Sequence, residues 1–125
     1  MNRTYNAYET KRKCEKLYSY IICFNIYNLS TKDAQWKMYN EKINEIVNEV
    51  EGEYDSLNIY NEIFTIGDKI KIHYLEIRIA IIKSITVKYN TCTWMPEFIV
   101  VSEDIHNNSI YKTSYDTCIH LIYNQ

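Results

Sequence analysis

From Leu75 to Tyr89 apolar and polar side chains alternate for fifteen residues, and no other stretch constrains the chain so tightly. The odd positions Leu75, Ile77, Ile79, Ile81, Ile85, Val87 and Tyr89 are apolar, while Glu76, Arg78, Ser84, Thr86 and Lys88 are polar. Period two is the signature of a strand with one buried face. A straight strand of that length would span about 50 Å at 3.3 Å per residue, whereas a 125-residue domain has a radius of gyration of only about 14 Å. The run must therefore bend, break or protrude to pair with a second copy. Lys83 is the position where the apolar set fails, so a break between Ile82 and Ser84 is expected.

Two helices are expected ahead of this strand. Between Ala7 and Tyr27, Cys14, Leu17, Tyr18, Ile21 and Ile22 recur at helical spacing, with Tyr20, Cys23, Phe24 and Tyr27 widening the apolar face. Lys11, Arg12, Lys13 and Lys16 crowd its first half, where they oppose the helix dipole. The second helix is predicted over 31–51. Ser30 with Asp33 resembles a capping box, Leu29 can pack on Ala34, and Gly52 provides a stop. Trp36, Tyr39, Ile43, Ile46, Val47 and Val50 form its apolar face, and Trp36, Ile43, Val47 and Val50 should lie against the sheet.

After Tyr54 the period turns to two. Gly67-Asp68 is expected to close a hairpin between runs 57–66 and 69–74. Pro96 should separate the long run from a Glu97–Ser102 strand, and Asn107-Asn108 marks a turn before a strand over Ile110–Tyr123. With no linker or repeat over residues 1–125, the expectation is a single α+β domain: two N-terminal helices packed on a mostly antiparallel sheet of five or six strands.

Composition narrows function mainly by exclusion. A net charge of −2 and a pI near 5.9 argue against a nucleic-acid binder, whose affinity rests on many Lys and Arg contacts to phosphate, and against attraction to an anionic membrane. The chain has 20 isoleucines, 13 tyrosines and 13 asparagines against two glycines and one proline. The favoured residues have A/T-rich codons, a bias of many bacteria, their phages and large DNA viruses, so tyrosine abundance by itself says little about function. Lys11–Lys16 followed by Leu17–Phe24 mimics the start of a secretory signal but lacks a small-residue cleavage site. The expected location is cytoplasmic, of the producing cell or of an infected host. Cys14, Cys23, Cys92 and Cys118 are then expected to be free thiols, and the glycosylation-type matches at Asn2, Asn28 and Asn107 carry no weight.

With two glycines the chain has no phosphate-cradling loop or GxSxG elbow, and it contains no HExxH or CxxC pair. No catalytic residue and no cofactor is assigned. Cys118 and His120 share one strand face, with Cys92, His73 or His106 as further candidates. Structural zinc sites bring close ligand pairs from two chain positions, however, and one such pair is present, so no metal is assigned. An enzyme would require Cys118, His120 or His73 within hydrogen-bond reach of a partner in a cleft. Trp94-Met95-Pro96 is an aromatic and apolar segment of the kind interfaces favour, but at 14% aromatic content ordinary core packing is the favoured reading.

Glu41, Glu45 and Glu49 form a stripe of like charge at four-residue spacing, which costs an isolated helix about 0.2–0.5 kcal/mol per pair. A basic protein partner would turn that repulsion into attraction. The expectation is a small non-enzymatic protein that occludes a macromolecular partner, as immunity proteins and viral or phage counter-defence inhibitors do, with these three residues at the contact. The alternative is a small-ligand or nucleotide-binding protein, oligomeric or not, in which Arg78, Lys83 and Lys88 hold phosphate and aromatic rings stack a base. A homodimer is the expected state if the long strand does not break.

Overall fold

A computed structural model describes residues 3–23, 32–73, 75–93, 95–114 and 118–121. Strand β1 (Thr4–Asn6) leads directly into helix α1 (Ala7–Tyr18), whose first turn is capped by the Asn6 side chain accepting from the Glu9 amide at 2.9 Å. The helix continues through a wider π-type turn, Ser19–Cys23. Its expected extension to Tyr27 lies outside the described residues, as do the Leu29 and Ser30 cap of the next helix. Helix α2 spans Lys32–Val50, within a residue of its expected bounds.

Among the described residues there are nine strands, those after β1 being β2 (Gly52–Tyr54), β3 (Ser56–Ile59), β4 (Glu62–Thr65), β5 (Lys69–His73), β6 (Ile77–Asn90), β7 (Met95–Asp104), β8 (Ile110–Thr113) and β9 (Ile119–Leu121). The expected α+β architecture is the one observed: two N-terminal helices on a mostly antiparallel sheet of six strands, in the order β8-β7-β6-β5-β9, with β2 also paired to β6. A second sheet, β1-β3-β4, contains the parallel β1–β3 pair.

The organising element is β6, fourteen residues long. One edge of it is covered by β7 from Ala80 to Asn90. The other carries β5 beside Ile77–Ile81 and then β2 beside Ile85–Val87. The ladder to β7 slips one residue between Ile82 and Ser84, which makes Lys83 a bulge. The expected break therefore takes the form of a bulge in one strand rather than two strands. On the other edge the gap at that level is closed by the chain's own corner, where the Gly67 amide donates to the Ile82 carbonyl at 2.9 Å and the Ile82 amide to the Asp68 carbonyl at 3.0 Å.

That corner corrects the hairpin expected at Gly67-Asp68. Strand β4 pairs with β3, and β5 pairs with β6, so the two residues carry the chain from one sheet to the other. The true hairpin turn is Tyr60-Asn61, both at positive φ (49° and 69°), the backbone of a primed two-residue turn. Tyrosine rarely adopts that conformation, which hid the turn, and the flanking run 57–66 read as one strand. Pro96 likewise lies inside β7, paired to Tyr89. At that level β8 is not yet alongside, so the missing amide hydrogen interrupts no second ladder.

The two sheets face each other across one apolar cluster, in which Tyr5, Leu57, Ile59 and Phe64 of the small sheet meet Ile70, Ile72, Ala80, Ile82, Ile85, Val87, Phe98 and Val100 of the large one. A second cluster joins the helices: Cys14, Ile21, Tyr39, Ile43 and Val47, with Trp36 and Ile46 beside it and Tyr89 and Met95 from the sheet. Ile43 and Val47 are thus buried as expected, and Val50 packs against the sheet core. Trp36 instead turns to α1, its ring 6.0 Å from Tyr18 and 5.8 Å from Tyr39, because three aromatic rings meet there. Gly52 ends the α2 connection at φ +135°, a conformation that favours glycine, with an Arg3 guanidinium nitrogen 3.1 Å from where a Cβ would stand.

The bulge keeps one face of β6 buried but reverses which positions in the sequence lie on it. After Lys83 the odd positions Ile85 and Val87 point into the core, as the alternation requires; before it the even positions Ala80 and Ile82 do, and Ile77, Ile79 and Ile81 face outward. The expectation that the odd positions share one buried face is therefore corrected for the first half of the strand. Ile82→Ala should cost about 2–5 kcal/mol in denaturant unfolding, whereas Ile77→Ala, five residues away, should stay within about 0.5 kcal/mol of wild type. Equal losses would place both residues in the core and contradict the reversal.

Candidate functional site

The outward face of the first half of β6 carries a row of isoleucines. Ile77 is 61% exposed, with Ile79 and Ile81 half-buried beside it. Leu75 is fully exposed at the approach to the strand, Ile110 is 58% exposed on β8, and Ile105 follows β7 with its amide bonded to the Ile79 carbonyl at 3.2 Å. Charged groups rim this surface. The ladder registers stand Lys69, Ile81, Glu103 and Ile110 side by side across four strands, and Lys71 beside Ile79. His73, level with Ile77, lies with its ring 4.9 Å from that of His120 on β9. A contiguous apolar patch with a polar rim is the usual form of a protein contact surface.

The stripe Glu41, Glu45 and Glu49 is exposed along α2, and Lys42 lies 3.9 Å from Glu45. It belongs to a different part of the molecule, because α2 packs near Tyr89 and Met95, about 30 Å along β6 from Ile79. Arg78, Lys83 and Lys88 do not converge. They are spread over ten residues of β6, roughly 33 Å. The Arg78 guanidinium bonds Asp104 and Glu76, Lys83 lies 3.5 Å from Glu103, and Lys88 is exposed opposite Glu97.

Asp104 is 1% exposed and fully engaged. Its Oδ2 accepts from Arg78 Nε and the Tyr111 hydroxyl, both at 2.8 Å, and its Oδ1 accepts from the His106 and Asn107 amides. The His106 amide is the largest influence holding the carboxyl well below the usual carboxylate range; Tyr111, Arg78 and Asn107 add to it against the opposing effect of burial. The cluster locks the β7–β8 turn, where Asn108 takes φ +61°. Nothing in the residue spacing marks this group, since ladder register alone brings Arg78, Asp104 and Tyr111 together.

Among the described residues Cys14, Cys92 and Cys118 are free, and no three His, Cys, Asp or Glu side chains are grouped as for a metal. Burial pushes the Cys14 thiol up to about 11, which keeps it protonated and unreactive at neutral pH. No helix among them is long and apolar enough to cross a membrane. A groove of about 240 Å³ lies between α1, the Tyr60-Asn61 turn and the start of β7, lined by Tyr5, Tyr8, Tyr60, Phe98, Lys11 and Glu97. It falls below the usual 300–1,000 Å³ of a small-molecule site. A larger cleft of about 460 Å³ at the bulge contains Lys83 with Arg3, Glu53 and Asp55, so its charges balance and favour neither an anion nor a cation. Trp94 lies outside the described residues. No family model, curated protein or solved structure matches the chain.

Because the Asp104 carboxyl is held below its unfolded value, the stability it contributes is present above the ordinary carboxylate pKa near 3.9 and is lost as pH falls through and below it. Asp104→Asn should lower the melting temperature at pH 7 and flatten its decline between pH 5 and pH 2. An unchanged acid limb in the variant would show that the carboxylate does not stabilise the fold.

Proposed function

We infer that this chain is a non-enzymatic binding protein that acts by covering the surface of a macromolecular partner, the mode of action of immunity proteins and of viral or phage counter-defence inhibitors. The observation that carries the reading is the outward isoleucine face. Isoleucines left in water on a regular sheet bring no benefit to the folded monomer, and each gains roughly 25 cal/mol for every Å² of apolar area a partner covers. The charged rim supplies register and discrimination at such a contact. A photo-crosslinking amino acid placed at Ile77 or Ile110, in protein made in its native host, should form covalent adducts with a polypeptide, while the same group at exposed Lys88 should not. Absence of adducts at both isoleucine positions would overturn the reading.

The exposed stripe of Glu41, Glu45 and Glu49 supports a basic surface on the occluded partner, since a single-sign field accelerates encounter with the opposite sign. Reversal of all three to Lys should slow association with that partner by about tenfold or more at low salt and leave dissociation nearly unchanged, and added salt should erase the difference. If association rate and salt dependence are both unaltered, the stripe takes no part in binding.

A further inference from the structure

Two histidines far apart in the chain meet near the edge of the large sheet. His73 ends β5 and is level with Ile77, while His120 lies within β9 opposite Lys71 of β5, so both stand on the outward face. Strand β5 is paired on both sides, to β6 and to β9, which fixes the backbone beneath the two rings. The ring centres are 4.9 Å apart and the planes are inclined at 74°. His73 is half-buried and His120 exposed. Among the described residues neither imidazole has a hydrogen-bond or ion-pair partner, so its nitrogens are not committed within the fold.

We propose that His73 and His120 together bind a divalent transition-metal ion, each through one neutral ring nitrogen. Imidazole is the side chain that suits zinc, nickel and copper ions. With a metal–nitrogen bond of about 2.0–2.1 Å and the nitrogen about 1.1 Å from the ring centre, two imidazoles on one ion have their centres about 4.5 Å apart at a right angle and about 5.2 Å apart at the tetrahedral angle. The observed 4.9 Å lies between these limits. Turning an imidazole about χ2, a broad torsion, swings its nitrogens while leaving the ring centre nearly in place, so both rings can aim at one ion with the backbone at rest. Residue spacing offered His120 only Cys118 as a companion, whereas the fold supplies His73. Cys118 is free and half-buried and does not group with the two histidines as a third ligand. The chain therefore gives two ligands and leaves the other positions to water or to a donor on a bound molecule. Lys71, opposite His120, opposes a second cation, and its long exposed side chain lessens that cost by turning to solvent.

Metal binding here does not depend on the isoleucine face being a contact surface. Calorimetric titration of the whole chain with Ni2+ tests it, because the chain has three histidines and the third, exposed His106 in the β7–β8 turn, serves as the control. One ion should bind per chain. His73→Ala and His120→Ala should each weaken binding by about tenfold or more with an unchanged circular dichroism spectrum. His106→Ala, and Cys92→Ser, which removes the exposed thiol, should stay within about twofold of wild type. The imidazole proton resonances of the wild type give a reading that needs no variant to fold: a small amount of paramagnetic Ni2+ should broaden those of His73 and His120 together and spare that of His106. Absence of binding, a loss in only one of the two histidine variants, broadening of only one of the two rings, or dependence on Cys92 or His106 would overturn the proposal.

Discussion

A strand buries alternate side chains only as long as its phase is unbroken, and β6 must supply one core from both sides of an irregularity. The bulge at Lys83 is that irregularity, a single extra residue against β7. It shifts the phase so that Ala80 and Ile82 enter the core on one side of it, and Ile85 and Val87 on the other. Every remaining strand of the large sheet takes its place from this element, since β7 follows one edge and β5 and β2 divide the other at the level of the bulge. The Gly67-Asp68 corner supplies backbone partners to Ile82 where the ladder is interrupted, so the irregularity leaves no orphaned amide at that position.

The same phase shift that completes the core also produces the outward isoleucine ridge. Core and outward apolar face are thus two consequences of one register change rather than separate features. The lower end of the sheet is held by a buried carboxylate whose oxygens are each matched to donors, and the upper end by the helix layer around Tyr39 and Ile43. With both ends secured, the outward face can remain apolar without endangering the fold. It stands apart from the acidic stripe on α2, which lies toward the other end of β6.

Much of the architecture was legible in residue order. Helical spacing located α2 to within a residue, period two located β6, and the single failure at Lys83 marked the bulge. The pairing of β3 with β4 was hidden because its turn residues Tyr60 and Asn61 include a side chain seldom found at positive φ, while Gly67-Asp68 offered a conventional turn that the fold uses as a corner between sheets. The candidate site was legible only in part. The glutamate stripe followed from helical geometry, but the isoleucine face did not, since its members had been placed in the core by the very alternation that identified the strand.

By itself the amino-acid sequence determined helix α2 and the long strand β6, because helical and strand periods act over a few neighbours and need no tertiary information. Tertiary structure decided which side of each element is inside. Burial is settled by packing across the sheet and by ladder register between residues far apart in the chain, as with Arg78, Asp104 and Tyr111. A one-residue slip in that register moves a whole row of side chains from core to solvent, and no local pattern records which way it goes.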